Sequence, residues 1–136
     1  MISQSLAMKA KSLADFLADS YALVAFLEGN DRYGRIFRRK TLATTALNVL
    51  EVYATLLRRL ERAEARDICT GFLPLVVTVP AEVALVAGDF RHLMRSRKRD
   101  CSYVDSWGYA AAQQLGIPFL TGDPSFRGIE NVEFVR

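Results

Sequence analysis

Four acidic residues occupy positions where the local sequence does not ordinarily place a carboxylate, namely Asp19, Glu51, Asp105 and Asp123. Carboxylate oxygen suits hard cations such as Mg²⁺ and Mn²⁺, which keep several waters and accept ligands from distant parts of a chain. Several carboxylates buried together without a cation would have sharply raised pKa values. A divalent cation resolves that conflict and can activate water for phosphodiester hydrolysis. The four acids are therefore candidate metal ligands and catalytic residues.

Sulfur and imidazole ligands are too few for a zinc-type site. Cys69 and Cys101 lack the C-x-x-C spacing of such sites, and His92 is the only histidine of the chain. Thiolate and imidazole coordination of zinc is therefore nearly excluded. Any metal in this protein should be held by oxygen.

Each acid also has a purely structural explanation that the sequence leaves open. Asp19 fits a helix N-cap, and Asp105 fits the last position of a capping box that begins at Ser102. Asp123 fits a turn before proline, and Glu51 has the option of pairing with a distant arginine. Four such features beside a single crevice are less expected than any one of them, which favours the metal site.

The composition predicts one compact domain. The chain has 136 residues, of which 51% are hydrophobic and 24% are charged, as is ordinary for a globular protein with a single core. The longest stretch poor in charge, residues 68–87, is interrupted by two prolines and Glu82, so it should not cross a bilayer. Asp15 and Asp19 would break the apolar part of a secretory signal, and we expect a cytoplasmic location.

Apolar periodicity, caps and turn residues predict alternating strands and helices. The predicted strands are residues 13–18, 42–44, 75–79, 117–120 and 132–135, and the predicted helices are residues 21–27, 31–40, 46–60, 61–72, 81–97 and 102–115. Parallel strands need long crossover connections, which helices supply. We therefore predict an α/β fold with a mostly parallel sheet covered by helices on both faces.

The predicted topology brings two of the acids together. Asp19 directly follows the first predicted strand, and Asp123 follows the predicted strand at 117–120. Ligands of open parallel sheets bind outside the carboxyl ends of the strands. Both carboxylates should face that crevice.

The other two acids lie on predicted helices. Glu51 should lie at the edge of a buried apolar stripe. That stripe consists of Leu47, Leu50, Ala54 and Leu57. Asp105 has Gly108 and Tyr109 three and four residues further on, and neither helix offers an obvious lysine or arginine partner. An inward carboxylate at either position needs another partner.

The net charge is only +3, but the cations are clustered and mostly arginine. The planar guanidinium suits phosphate, although on composition alone solvated helix faces are the favoured explanation of such clusters. The clusters are Arg35, Arg38, Arg39 and Lys40; Arg58, Arg59 and Arg62; and Arg91, Arg95, Arg97, Lys98 and Arg99.

Three segments carry a resemblance to a known family. They are LADSYALVAFLEG around Asp19, TTALNVLEVYATLLRR around Glu51, and SYVDSWGYAAAQQLGIPFLTGDPSF, which holds Asp105 and Asp123 and is the most specific. From about Leu13 onward the chain resembles a PIN-domain ribonuclease, and it is most similar to the toxin component of VapBC-type toxin–antitoxin pairs.

The resemblance implies a three-layer α/β/α fold with four or five mostly parallel strands, and a homodimer. It implies a Mg²⁺- or Mn²⁺-dependent endoribonuclease with Asp19, Glu51 and Asp105 as core acids and Asp123 as a fourth. Thr121 and Ser20 match hydroxyl positions near the site. The PIN-like domain should span residues 12–136, preceded by an extension at residues 1–11 that departs from the family pattern.

Substrate and partner follow from the same resemblance. Because a carboxylate pocket repels RNA until metal binds, cations must hold the backbone. The set that we select is Arg95, Arg97, Lys98 and Arg99. A small antitoxin protein should cover the pocket through an apolar helix. The groove that we predict for it is lined by Ala22, Phe26, Val49 and Tyr53, although these residues and Trp107 are also candidates for the core.

Two rival functions remain. The chain could be a catalytically inactive or RNA-processing PIN module that acts in RNA binding or assembly, although the presence of all four acids disfavours inactivity. A receiver-like phosphorylation domain also groups acids at strand ends. It fits poorly, since Glu51 is on a predicted helix and no lysine follows Lys98.

Overall fold

The computed structural model describes residues 14–136. The proposed extension at residues 1–11 and the beginning of the first predicted strand at residue 13 lie outside the described residues. The strands are β1 (Phe16–Ala18), β2 (Leu42–Ala43), β3 (Phe119–Thr121) and β4 (Val132–Phe134). The α-helices are α1 (Ser20–Leu27), α2 (Asp31–Arg39), α3 (Ala46–Leu56), α4 (Arg62–Thr70), α5 (Val83–Ser96) and α6 (Tyr103–Leu115).

The four strands form one parallel sheet in the order β2-β1-β3-β4. Helices cover both faces, which gives the three-layer α/β/α fold predicted above. In the register between the central strands, Ala18 lies opposite Leu120, and the Asp19 N–H donates to the Leu120 carbonyl over 3.1 Å. The carboxyl ends of β1 and β3 are therefore adjacent, so the residues after them share one edge of the sheet.

The side chains of the central strands alternate between two buried clusters, because successive residues of a strand point to opposite faces. Leu17 and Phe119 pack on one face with Tyr109 and Phe126. Ala18 and Leu120 pack on the other face with a second set of apolar side chains. Burial on both faces is typical of parallel sheets. Within residues 14–136, no helix combines the length and apolarity that crossing a membrane requires.

Local capping interactions account for where most helices begin. Asn30 accepts hydrogen bonds from the backbone at the start of α2, and the Thr45 hydroxyl accepts one from the Asn48 N–H. Ser102 begins α6 with the predicted capping box, and Gly116 ends it with a left-handed φ of 71°. These polar side chains satisfy backbone N–H groups that the first helical turn leaves free.

The predicted strand at residues 75–79 is wrong. A short 3₁₀ turn occupies Leu73–Leu75, and the segment after it pairs with the sheet only through a single bridge between Thr44 and Val76. The β-branched residues favoured a strand, but prolines at both ends remove backbone donors and limit extended pairing. The described sheet therefore has four strands, at the lower end of the expected four or five.

The predicted buried stripe of α3 is also wrong. Leu47, Leu50 and Leu57 are 36%, 59% and 44% exposed, whereas the buried face of α3 carries Val49 and Val52. Apolar residues occur on more than one face of this helix, so periodicity alone did not identify the face that meets the core. Glu51 itself is half-buried.

Candidate active site

Asp19 lies at the centre of the candidate site, directly after β1. Its side chain is 2% exposed, and its Oδ1 accepts a hydrogen bond of 2.8 Å from the Ala22 N–H at the start of α1. The side chain of Thr121, the fully buried last residue of β3, also hydrogen-bonds to this carboxyl. The N-cap role predicted as an alternative is therefore real, and it fixes the carboxylate at the junction of strand and helix.

Burial raises the pKa of Asp19 to about 8. The hydrogen bonds from Thr121 and Ala22 lower that pKa, whereas the negative charges of Asp105 and Asp123 raise it further. Desolvation disfavours the charged carboxylate, and nearby like charges add to that effect. The three acids therefore act on each other electrostatically although they are remote in the sequence.

Asp105 approaches Asp19 from the first turn of α6. The Ser102 N–H donates to its Oδ2 over 3.0 Å, and the Asp105 N–H donates to the Ser102 hydroxyl over 3.0 Å. Burial is the largest cause that raises the pKa of Asp105, and the charges of Asp123 and Glu51 also raise it. The capping box thus holds Asp105 where it interacts with two further acids.

Asp123 is held by the turn that follows β3. Its N–H donates to the Thr121 Oγ1 over 3.0 Å, and its Oδ1 accepts a hydrogen bond of 2.9 Å from the Ser125 N–H. This second bond caps a 3₁₀ turn at Pro124–Phe126. Thr121 therefore contacts both Asp19 and Asp123, in agreement with the hydroxyl position that the resemblance implied.

Glu51 borders an open cleft of about 750 Å³ between α1 and α3, together with Ser20, Tyr21 and Arg58. Its negative charge also contributes to the raised pKa of Asp105. In the described part of the chain, the single ion pair joins Arg59 to Glu28 at 3.3 Å. Pairing of Glu51 with an arginine is therefore not observed, and none of the four acids is neutralised by a cation there.

The donor set fits a hard divalent cation. The site offers carboxylate oxygens with raised pKa values at Asp19 and Asp105, and it contains no thiolate or imidazole ligand among residues 14–136. No group of three acidic, cysteine or histidine side chains within those residues is arranged to hold a metal ion. Mg²⁺ commonly uses one or two carboxylates together with waters and substrate phosphates. A site of that kind takes most of its ligands from water and substrate, so it does not require three converging protein side chains.

Sequence reasoning missed Asn48, which is 1% exposed. Its Oδ1 accepts a hydrogen bond of 2.6 Å from the Thr45 hydroxyl, and its Nδ2 donates to the Ser20 Oγ over 3.1 Å. Asn48 therefore links the helix of Glu51 to the helix that Asp19 caps. An amide among apolar residues, three positions before Glu51, was the signal that could have identified it.

Gly122 separates Thr121 from Asp123 and has no room for a side chain. A Cβ at this position would collide with the Tyr21 ring and with the carbonyl oxygen of Val135. That oxygen also accepts a hydrogen bond of 2.6 Å from the Tyr33 hydroxyl, so its position is fixed by a second contact.

We expect Gly122→Ala to lower the free energy of unfolding by about 1–3 kcal/mol, the usual effect of overpacking a rigid site. Gly88→Ala is the matched control, because a Cβ at Gly88 meets no atom within 4 Å. Alanine favours an α-helix over glycine by roughly 0.5–1 kcal/mol. Urea denaturation of both variants measures the difference. Equal stability of the two variants would contradict the tight packing at Gly122.

The predicted RNA-binding cations have different environments. Arg95 and Lys98 line an open cleft of about 520 Å³ together with Ser102 and Asp105. Arg97 is exposed and does not line this cleft. Arg99 also borders the cleft, but its guanidinium donates to two backbone carbonyls. The four cations are therefore not equivalent.

The groove predicted for a partner helix does not exist as one surface. Ala22 is fully buried, and Phe26 stacks on Phe37 with ring centroids 4.1 Å apart. Val49 and Tyr53 border a separate, smaller groove of about 220 Å³. The core alternative is correct for Ala22, and Trp107 likewise packs, partly buried, against a small core cluster.

A family model described as PIN domain matches residues 16–132. The match covers the four candidate acids, the strands β1, β2 and β3, and the first residue of β4. No curated protein matches the sequence.

Solved structures with the same fold include three from bacteria. A toxin–antitoxin complex from Klebsiella pneumoniae has a TM-score of 0.69 and 16% identity, with 87% of this chain and 95% of that chain covered. VapBC2 from Rickettsia felis, bound to a promoter DNA fragment, has a TM-score of 0.69 and 14% identity, with 88% of this chain and 96% of that chain covered. Mycobacterium tuberculosis VapC20, a Sarcin-Ricin loop cleaving toxin, has a TM-score of 0.66 and 24% identity, with 86% of this chain and 98% of that chain covered. These similarities confirm the fold.

Proposed function

The chain belongs to the PIN domain family, and from this premise we propose that it is a metal-dependent endoribonuclease that hydrolyses RNA phosphodiester bonds. The observation that supports the proposal most is the buried Asp19 carboxyl, whose pKa of about 8 reflects burial and the nearby charges of Asp105 and Asp123. A protein stabilised only by ordinary packing has no need of three mutually repelling acids at one edge of its sheet.

The four acids have distinct roles in this proposal. Asp19 and Asp105 would hold a Mg²⁺ or Mn²⁺ ion directly, Glu51 would be a further ligand or would orient the attacking water, and Asp123 would hold a second ion or support the first. When bound, such a cation lowers the pKa of water and stabilises charge on the phosphate. Thr121 fixes the carboxyl of Asp19 and the backbone of Asp123 through its single hydroxyl.

The substrate strand would enter along the cationic cleft beside Asp105. Arg95 and Lys98 line that cleft, and their side chains have no hydrogen bond or ion pair within the described residues, so their charges are available to backbone phosphate. Arg97 is exposed on the same segment but does not line the cleft, so it lies outside the proposed path of the strand. Because Arg95 and Lys98 line the same cleft as Asp105, a phosphate bound to them would lie near the acids, and the two cations would not neutralise those acids.

We further propose that the protein is the toxin of a toxin–antitoxin pair, forms a homodimer and is inhibited by a small antitoxin protein. Support for the partner comes from structures of the same fold that were determined as toxin–antitoxin complexes, such as the one from Klebsiella pneumoniae. Support for RNA as the substrate comes from the fold shared with VapC20, a Sarcin-Ricin loop cleaving toxin. The PIN family match excludes the receiver-like alternative.

A second candidate function is a catalytically inactive or RNA-processing PIN module that acts in RNA binding or assembly. The observation that favours inactivity is the absence, within residues 14–136, of three side chains arranged to hold a metal ion. The same cationic cleft would serve RNA binding in that case.

We expect the purified protein to cleave RNA with Mg²⁺ or Mn²⁺, to stop in excess chelator and to resume when metal is restored. Gel analysis of an end-labelled RNA measures this directly. Asp105→Asn is the control for contaminating nucleases, because asparagine keeps the oxygen that accepts from the Ser102 N–H. Cleavage that persists in chelator would exclude the metal mechanism. RNA binding without cleavage under every metal condition would favour the inactive module.

A further inference from the structure

Arg99 connects the two segments that carry Asp105 and Asp123. One terminal nitrogen of its guanidinium donates to the carbonyl oxygens of Ser125 and Arg127, over 2.9 Å and 2.7 Å. Both carbonyls belong to the turn that follows Asp123. Hydrogen bonds from a charged donor are shorter and stronger than those between neutral groups, so this contact is a firm link between remote segments.

The turn whose carbonyls accept the Arg99 hydrogen bonds is also held in place by Asp123. The Asp123 side chain accepts from the Ser125 N–H, and its carbonyl accepts from the Phe126 N–H over 2.9 Å. Phe126 is fully buried in the core. The carbonyls that Arg99 contacts are therefore part of the same small unit as the Asp123 carboxylate.

On the donor side, Arg99 begins the segment that leads to Asp105. Its N–H donates to the Met94 carbonyl over 3.0 Å, and the segment runs through Cys101, whose carbonyl accepts from Arg91 Nε over 2.8 Å, to the Ser102 cap. Lys98 precedes it with a left-handed φ of 58°, a conformation that a lysine adopts at a cost of order 1–3 kcal/mol. That turn directs Arg99 towards the Asp123 unit.

No other hydrogen bond within the described residues joins residues 98–102 to residues 123–127. An open cleft of about 470 Å³ lies between them, lined by Lys98, Arg99 and Asp100 on one side and Pro124, Ser125 and Arg127 on the other. The two Arg99 bonds therefore span a gap that side-chain packing leaves open.

We propose that Arg99 is a positioning residue that fixes the separation between Asp105 and Asp123, and that it is not primarily an RNA contact. The inference rests on the proposed function for its consequence, since a change in that separation matters only where the acids share a cation. Arg95 differs from Arg99, because it lines the neighbouring cleft and its guanidinium makes no hydrogen bond within the described residues.

The positive charge of Arg99 provides a test of the inference, namely the direction in which Mn²⁺ affinity changes when that charge is removed. Removal of a cation close to an acidic site strengthens Mn²⁺ binding if only electrostatics are involved. Loss of a positioning contact weakens it, typically by about 10–100-fold for groups that orient metal ligands. The two explanations predict opposite changes.

Mn²⁺ affinity should be measured by calorimetry without RNA, for Arg99→Met and for Arg97→Met. The control removes the same charge from an exposed residue of the same cluster. We expect Arg99→Met to weaken Mn²⁺ binding at least about tenfold, and Arg97→Met to leave it unchanged or slightly stronger. Arg99→Lys should recover part of the loss, because an ammonium keeps the charge and three donors.

RNA affinity in chelator provides the second readout. Arg95→Met should weaken RNA binding and reduce its salt dependence by about one phosphate contact. Arg99→Met should change RNA affinity no more than Arg97→Met does. If Arg99→Met instead weakens RNA binding as Arg95→Met does and leaves Mn²⁺ binding intact, Arg99 is an RNA contact and the inference is overturned.

Amide hydrogen exchange in chelator separates this inference from the proposed function. We expect faster exchange at Ser125, Phe126 and Arg127 in Arg99→Met, and no change there in Arg97→Met. Unchanged exchange in Arg99→Met overturns the positioning role whether or not the protein binds metal. Faster exchange in a protein whose wild type binds no Mn²⁺ supports the positioning role and overturns the proposed metal-dependent function.

Discussion

Asp19→Asn is expected to abolish RNA cleavage while it stabilises the metal-free protein at pH 8. Asparagine keeps the side-chain oxygen that accepts from the Ala22 N–H, and it is as good an N-cap as aspartate. It lacks the charge that a cation needs. A metal site supplies several kcal/mol of transition-state stabilisation, so its loss should reduce the rate by about 10³-fold or more.

The gain in stability has the same origin as the loss of activity. Burial is the main cause that disfavours the Asp19 carboxylate, and the charges of Asp105 and Asp123 add to it; the neutral amide avoids both effects. In chelator at pH 8, we expect the free energy of unfolding to rise by on the order of 2 kcal/mol or more. Urea denaturation and RNA cleavage, measured on one preparation, test both parts.

Asp67→Asn is the matched control for this experiment, because Asp67 is exposed on α4. It should change neither cleavage nor stability appreciably. Retained cleavage in Asp19→Asn would remove Asp19 from the catalytic site. A loss of stability in that variant would contradict the destabilisation of the metal-free protein by the buried Asp19 carboxylate.

Metal-free wild-type protein should lose stability as the pH rises from about 4 to about 8. The pKa of Asp19 is about 8 in the folded protein, against an ordinary value of 3.8. Between these values the folded state binds a proton that the unfolded state has released, so the free energy of unfolding falls with increasing pH. The predicted loss from Asp19 is up to roughly 5 kcal/mol, and the raised pKa of Asp105 acts in the same direction.

Divalent metal should reverse this loss at the alkaline end. Metal binds the deprotonated carboxylates and only the folded site, so Mn²⁺ at about 100 times its Kd adds about 2.7 kcal/mol. Thermal unfolding between pH 4.5 and pH 8.5, with chelator or with Mn²⁺, gives both curves. Asp19→Asn should flatten the metal-free curve. A metal-free stability that increases steadily over this range would show that the carboxyl is ionised without metal.

Much of the fold was predictable because its signals are local. The helix starts at Asp19, Asn30, Thr45 and Ser102 depend on side chains that bond to backbone within about three residues, and the sequence shows those neighbours directly. The predicted helix at 46–60 extended too far, since α3 ends at Leu56. No strong stop signal marks that position in the sequence.

The acids of the candidate site were identified from the sequence, but their local roles were underestimated. Asp19, Asp105 and Asp123 each accept a capping hydrogen bond at the start of a helix or 3₁₀ turn, as the structural alternative proposed, and the charges of Asp105 and Asp123 also raise the pKa of Asp19. The structure shows that the caps are the means by which these carboxylates are positioned.

Residue types, helix caps and the alternation of strands and helices were determined by the sequence itself, because each depends on contacts within a few residues. The tertiary structure alone decided which face of α3 is buried and that Arg99 donates to carbonyls of a distant turn. Each of these outcomes depends on which remote segment lies alongside. Burial and charge pairing are properties of that packed arrangement, so no local pattern encodes them.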